Sequence, residues 1–201
     1  MSDYTVIADV GETLVDLLRE NMEDLITPAS IILSSPGEIE TQDYPRLSLF
    51  LYQVVENAYL KNQERQASNS TTVLYPPLTL DLYYMLTSYG SPQIADRTDR
   101  TIEEHKVLGQ AMRILYDNAI LKSSVLRGSL GGTGEELRLT LYPASLEELN
   151  RLWNSFPDKP YKLSACYMVT PVKIDSTRKM EVRRTVERDI GYYQIRKVSA
   201  P

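Results

Sequence analysis

The sequence is short of the residues on which most enzyme chemistry is built. It holds a single histidine, His105, and a single cysteine, Cys166, in 201 residues. Zinc is normally held by three or four N, S or carboxylate ligands, and one histidine with no ligand-spaced cysteine does not supply them. A lone cysteine excludes an internal disulfide. A serine hydrolase would have only His105 as its base, and no G-x-S-x-G elbow accompanies it. Long apolar runs are missing as well, so nothing approaches the ~18 residues of a membrane-spanning helix. The opening "MSDYTVIADVGETL" lacks the charged start and unbroken apolar segment of a secretory signal. Together these absences predict a soluble protein made in the cytoplasm, with no cofactor and no direct membrane insertion.

Phenylalanine and tryptophan are also scarce, at two and one, whereas tyrosine reaches 14. Tyrosine pairs an apolar ring with a polar tip, which suits surfaces that become buried on association. Charge is unevenly spread. From Arg178 to Lys197 seven Lys/Arg face three Asp/Glu, a local +4, which leaves −9 of the net −5 on the rest of the chain. An acidic body of this kind repels nucleic acid, and Glu181, Glu187 and Asp189 dilute the basic tail. No nucleic-acid partner is expected.

The pattern of apolar residues predicts one α+β domain over residues 1–201, with a mostly antiparallel mixed sheet, about three helices packed on it, and a basic C-terminal strand or arm from about 178 to 201. Val6, Val10, Leu14, Leu17 and Leu18 fall at helical spacing between Thr5 and Ile26, with Asp3 or Thr5 as cap and an end near Thr27-Pro28. "SIILSS" reads as a short strand. "YPRLSLFLYQVVEN" and "LTLDLYYMLTSYG" alternate as strands and would pair across the polar connection "LKNQERQASNSTTVLYPP". After a loop from Ser91 to Arg100, Thr101 and Glu104 form a capping-box pair ahead of a helix carrying Ile102, Leu108, Ala111, Met112 and Leu115. "ELRLTLYP" is a strand. Ser145 and Glu148 give a second capping box before Leu149, Leu152, Trp153 and Phe156, and "YKLSACYMVTPVKID" is the last clear strand. "EVRRTVERDIGYYQIRKV" fits either period, with Gly191 and its β-branched residues favouring extended structure.

The stretch "LRGSLGGTGEELRLTLYP" places Gly128, Gly131, Gly132 and Gly134 within seven residues. A phosphate loop runs from strand to G-x-x-x-x-G-K-[ST] to helix, because backbone amides and a lysine must face the phosphates. Here the glycines lead into a strand, no lysine follows, and Glu135 and Glu136 stand where the lysine belongs. A mobile connection is expected instead. Cys166 lies in an apolar strand and reads as a small buried hydrophobe. The acidic pairs Glu103/Glu104, Glu135/Glu136 and Glu147/Glu148 read as solvated charge, since neighbouring residues point apart. His105 reads as a helix histidine facing solvent or a carboxylate.

Six stretches taken in order carry a resemblance: "IADVGETLVDLLRENM", "LSLFLYQVVENAYLKN", "YPPLTLDLYYMLTSYG", "EEHKVLGQAMRILYDNAIL", "ELRLTLYPASLEELNRLWNSF" and "PYKLSACYMVTPVKIDS". Together they resemble the N-terminal domain of the cap, or tail-terminator, family of phage-tail-like contractile injection systems, over about Ile7 to Val186. The resemblance implies a structural protein and no enzyme: a homohexameric ring on the distal end of sheath and inner tube that stops polymerisation and fixes particle length. Its partners would be its own copies and the sheath and inner-tube proteins of a particle either released or membrane-anchored. Pro77, Leu80, Tyr83, Tyr84, Leu86, Gly90, Glu104, His105, Leu108, Gly109, Met112 and Leu115 match family positions and are expected to be framework, with Gly109 allowing a close helix contact. The expected interface residues are Arg183, Arg184, Arg188, Tyr192, Tyr193 and Ile195 of the tail together with the four glycines. Two other readings stay open: an adaptor tethering the particle to an envelope or membrane partner, and a small nucleotide-binding enzyme.

Overall fold

The first helix, α1 (Val6–Asn21), forms where the helical spacing of apolar residues places it. Val6, Val10, Leu14, Leu17 and Leu18 are all buried. A computed structural model describes residues 3–40, 43–61, 66–67 and 72–181 of the chain. The helix stops at Asn21 instead of near Thr27-Pro28. Its last turn is closed by side chains: Asn21 Nδ2 donates to the Leu17 carbonyl at 2.8 Å, and Arg19 Nη2 reaches the Ile31 carbonyl at 2.8 Å. The first bond stays within the last turn of the helix, and the second ties that turn to the backbone of the Ile31 strand.

The sheet follows. β1 (Ile31–Leu33) lies parallel to β2 (Leu47–Glu56), which pairs antiparallel with β5 (Leu78–Ser88). Beyond β5 come β8 (Ser164–Ile174), β7 (Glu136–Tyr142) and β6 (Ile120–Lys122), giving the six-stranded order β1-β2-β5-β8-β7-β6. Every neighbouring pair except β1/β2 is antiparallel. The expected pairing of the two long strands is present. Pro171 sits inside β8, a central strand where a missing amide would normally break a ladder. The ladder goes around it: Leu80 pairs with Val172 and Leu82 with Val169, so Thr170-Pro171 opposes Asp81 alone. Asp81 accepts hydrogen bonds there from Thr170 Oγ1 and from Asn57 Nδ2.

Helix α2 (Arg97–Asp117) starts four residues before Thr101. Asp96 takes the cap position and its carboxylate accepts from the Asp99 amide at 2.9 Å, leaving the Thr101 hydroxyl to bond the Arg97 carbonyl within the helix. An aspartate cap ranks at least level with a threonine one, which explains why the earlier residue wins. The buried stripe is Val107, Leu108, Ala111, Ile114 and Leu115, and Ile102 is exposed. Helix α3 (Leu146–Trp153) begins at the expected box: the Glu148 amide donates to Ser145 Oγ at 3.2 Å and the Ser145 amide to Glu148 Oε2 at 2.7 Å.

Because side chains alternate across a strand, the sheet buries two different sets of residues. One cluster packs α1 and α2 against Leu47, Leu49, Leu82, Tyr84, Leu86 and Val169. The other joins Met85 and Cys166 to Trp153 and Phe156 at α3, with Phe50, Tyr52 and Tyr142 packed around them. Edge-to-face ring contacts, 5.7 Å between Trp153 and Phe156 and 5.1 Å between Tyr83 and Tyr142, tie this second cluster together.

By internal contacts the chain divides into two units, residues 1–63 with 77–175 and residues 64–76 with 176–201. The second unit contains a three-stranded sheet in the order β3 (Gln66–Ala67), β4 (Thr72–Leu74), β9 (Lys179–Glu181), antiparallel throughout. The stretch read as a loop therefore holds two short strands. Within this unit the Arg178 guanidinium lies 4.4 Å from the centre of the Tyr75 ring.

Candidate functional site

The glycine stretch is built onto α1. Its first part, Gly128–Leu130, is a turn of 3-10 helix, with Leu130 fully buried. Below the turn lies the carboxylate of Asp9, itself only 7% exposed. Asp9 Oδ2 accepts from the Ser129 amide at 3.0 Å, from Ser129 Oγ at 2.5 Å and from Thr5 Oγ1 at 3.2 Å. One turn further on, Thr13 Oγ1 accepts from the Arg127 amide at 3.0 Å while donating to the Asp9 carbonyl. Further on still, Asp16 and Glu20 pair with the Arg127 guanidinium at 3.3 and 2.5 Å. Asp9, Thr13, Asp16 and Glu20 are spaced by four, three and four residues, so they form one stripe along the helix. This stripe holds the loop.

Three consequences follow for chemistry. A carboxylate occupies the position where loop amides of a phosphate site would receive an anion, which removes the phosphate-cradle reading on geometry as well as on sequence. Gly128 has φ +58°, and a Cβ there would overlap the Asp9 carboxylate, so glycine is required at this position for both reasons. The expectation of a loose loop fails for its first half, since hydrogen bonds to Asp9 and burial of Leu130 hold it down. Gly131, Gly132 and Gly134 are exposed, and Gly132 and Gly134 turn the chain with φ +75° and open space around them.

The other candidates are spread apart. Glu103 and Glu104 are not solvated charges: Glu103 forms a half-buried ion pair with Arg46 and accepts from the Ser91 amide at 3.2 Å, while Glu104 pairs with Lys162 at 3.1 Å. Burial lowers the Arg46 pKa against the pull of Glu104. Glu147 pairs with Arg151 on the surface, and Glu148 is held in the α3 cap. Of the third pair, Glu136 is exposed, whereas Glu135 is half-buried and its Oε2 is shielded without a hydrogen-bond partner among the described residues. His105 is exposed on α2, and among the described residues no group of three His, Cys, Asp or Glu is placed to hold a metal. Cys166 is buried, and desolvation pushes its thiol pKa up, away from nucleophilic reactivity. Gly109 makes no close helix contact: a Cβ there would meet nothing within 4 Å. Arg183, Arg184, Arg188, Tyr192, Tyr193 and Ile195 lie outside the described residues.

A family model, the Pvc16 N-terminal domain, matches residues 9–188. The chain belongs to the Pvc16 N-terminal domain family. Two solved structures share its fold. A PVC sheath/tube terminator of an extracellular contractile injection system, in its extended state, superposes with a TM-score of 0.65 at 18% identity, over 99% of this chain and 67% of that one. The anti-feeding prophage cap, a tube-terminating cap, gives 0.62 at 19% identity over 92% of this chain and 61% of that one. This member of the Pvc16 N-terminal domain family therefore spans about two thirds or less of the length of the solved relatives. No curated protein matches it. The family membership agrees with the resemblance read from the six ordered stretches, and the loop-anchoring stripe on α1 is the feature that reading missed. Its signal was present as polar residues at helical spacing on a helix judged only by its apolar face.

Proposed function

We propose that this protein is a structural cap, a tail terminator of a contractile injection system. It forms a ring on the distal end of sheath and inner tube, stops their polymerisation and so fixes particle length. The observation that carries this reading is the shared fold along 99% of the chain with a sheath/tube terminator, in a member of the Pvc16 N-terminal domain family. The architecture suits the role. Nothing in a cap has to react; it has to present rigid surfaces, and here the loop, the helices and the sheet are locked by buried side chains and paired charges. The role is structural and not enzymatic, the ring is homohexameric, and the partners are its own copies with the sheath and tube proteins. The protein is made in the cytoplasm and ends in a particle, released or membrane-anchored. No described helix is long and apolar enough to cross a membrane.

The exposed side of Gly128 to Gly134 and the basic tail from Arg183 to Ile195 are the surfaces we assign to subunit contacts. Strand addition through such a tail would gain affinity from main-chain hydrogen bonds. The test is deletion of the gene in a particle-producing strain, with particle lengths measured in electron micrographs. Sheaths of unregulated length, restored to a single length by the full chain, are expected; a uniform length without the protein would overturn the reading.

A further inference from the structure

Among the described residues, the sheet has one long edge with no neighbour. β2 runs from Leu47 to Glu56, and β1 pairs only with Leu47, Ser48 and Leu49. From Leu51 to Glu56 no described residue pairs with the β1 side of the strand. Val54 and Val55 at its end are 44% and 39% exposed. Proteins generally protect such edges with lysine, proline, a bulge or a cover. This edge has a bulge between Leu51 and Gln53 but neither Lys nor Pro.

Beside the edge lies a groove of about 480 Å³ between the first two turns of α1, at Ile7, Ala8 and Gly11, and the strands at Leu33 and Leu51. Tyr84 also lines it, and its hydroxyl is buried with no hydrogen-bond partner among the described residues. A Cβ on Gly11 would stand 2.9 Å from Leu33 Cδ2 and 3.7 Å from Tyr84 Oη, so the hydroxyl sits where helix and edge meet. Buried hydroxyls nearly always find partners. An unpaired edge and an unpaired hydroxyl are independent signs that something seats there.

Charge and length select the occupant. The groove is lined by no cation and includes Glu38, and Glu56 ends the open edge. The complementary segment in this sequence is the tail. Ile190–Ile195, "IGYYQI", is uncharged and rich in residues that favour strands; Arg188 and Asp189 precede it and Arg196 and Lys197 follow it, so its flanks carry a net positive charge. Six residues of strand cover about 20 Å, the same run as Leu51 to Glu56. We infer that Ile190–Ile195 of a second copy adds as an extended strand to the open edge of β2. Arg188 and Arg196 then face Glu38 and Glu56, and a polar group of the inserted strand pairs with the Tyr84 hydroxyl. The inference rests on the ring reading, because it requires copies to meet, and it names the acceptor surface that reading leaves open.

The test uses full-length chains. Val54→Cys protein is mixed with Gly191→Cys, Tyr193→Cys or Ile195→Cys protein and oxidised; Cys166 is buried and does not compete. A disulfide needs Cα atoms within about 4.4–6.8 Å, so a cross-linked dimer with at least one partner is the expected result. Ala8→Arg, at an exposed helix position lining the groove, is expected to cut the yield about tenfold by placing a cation where the basic segment enters. Tyr84→Phe is expected to reduce it without unfolding the protein, and His105→Arg to leave it unchanged. A link that forms only within one chain, in the Val54→Cys/Tyr193→Cys double variant, would show that the tail fills its own groove and overturn the inference. Native mass spectrometry of the same samples separates the two readings. Rings without any Val54 link would reject the groove and keep the ring, whereas no rings and no link would reject both.

Discussion

Asp9→Ala is the most informative single change in the described structure. The carboxylate is 7% exposed and accepts three hydrogen bonds, two of them from Ser129, which lies 120 residues away in sequence. Hydrogen bonds to a charged group are worth about 1.5–3 kcal/mol each, but the three share one oxygen and the freed Ser129 groups regain some water. A net loss of about 2–4 kcal/mol follows, measured by urea unfolding. The Ser129 amide should lose hydrogen-exchange protection in step. Ser129→Ala removes the hydroxyl's bonds to Asp9 and to Thr5 and keeps the amide bond, and the double-mutant cycle with Asp9→Ala subtracts the Thr5 contribution, with an expected coupling of about 1–2 kcal/mol. Gly128→Ala adds a second arm. In the parent it meets both a left-handed backbone and the Asp9 carboxylate; in the Asp9→Ala background only the backbone strain, about 1–2 kcal/mol, remains. A loss below about 0.5 kcal/mol for Asp9→Ala, or strictly additive energies in the cycle, would refute the claim that α1 holds the loop.

Gly109→Ala is expected to stabilise the protein by about 0.5–1 kcal/mol, because the position is exposed, helical and free of neighbours within 4 Å of the added methyl; a destabilised variant in thermal unfolding would show a contact that the structure lacks. At the α3 cap, Ser145→Ala should cost about 1 kcal/mol. Hydrogen bonding from the Ser145 amide, then from its hydroxyl, holds the Glu148 pKa below the ordinary carboxylate value. Since the folded pKa is the lower one, the cap's contribution is complete above the unfolded carboxylate pKa and is lost as pH falls through the folded one. NMR titration of Glu148 in the parent and in Ser145→Ala protein checks this, the variant titrating closer to the ordinary value.

The parts of the fold legible in sequence were those in which one local rule acted alone. α1 and α3 followed from apolar spacing and a capping box, and the β2/β5 pairing followed from two long alternating runs. The start of α2 was misplaced because two capping signals competed within five residues, and Asp96 prevailed over Thr101. β6, only three residues long, has too little sequence to show a period. β3 and β4 were hidden in a polar stretch, since a short strand is defined by its partners more than by its residues. The same reason accounts for Glu103 and Glu104: their partners, Arg46 and Lys162, are 57 and 58 residues away, and only the fold brings them together.

The hydrogen bond from Thr5 to Ser129, 3.3 Å long, fixes the start of α1 beside the glycine turn. This has a practical use. A fluorophore or gold label attached just before Thr5 would report the location of that turn, and under the proposed cap role its position in images of a particle would distinguish a turn that faces another copy from one that faces a different protein or open solvent. A bulky fusion at the same end would serve as a steric probe of the site without altering any residue of the turn itself.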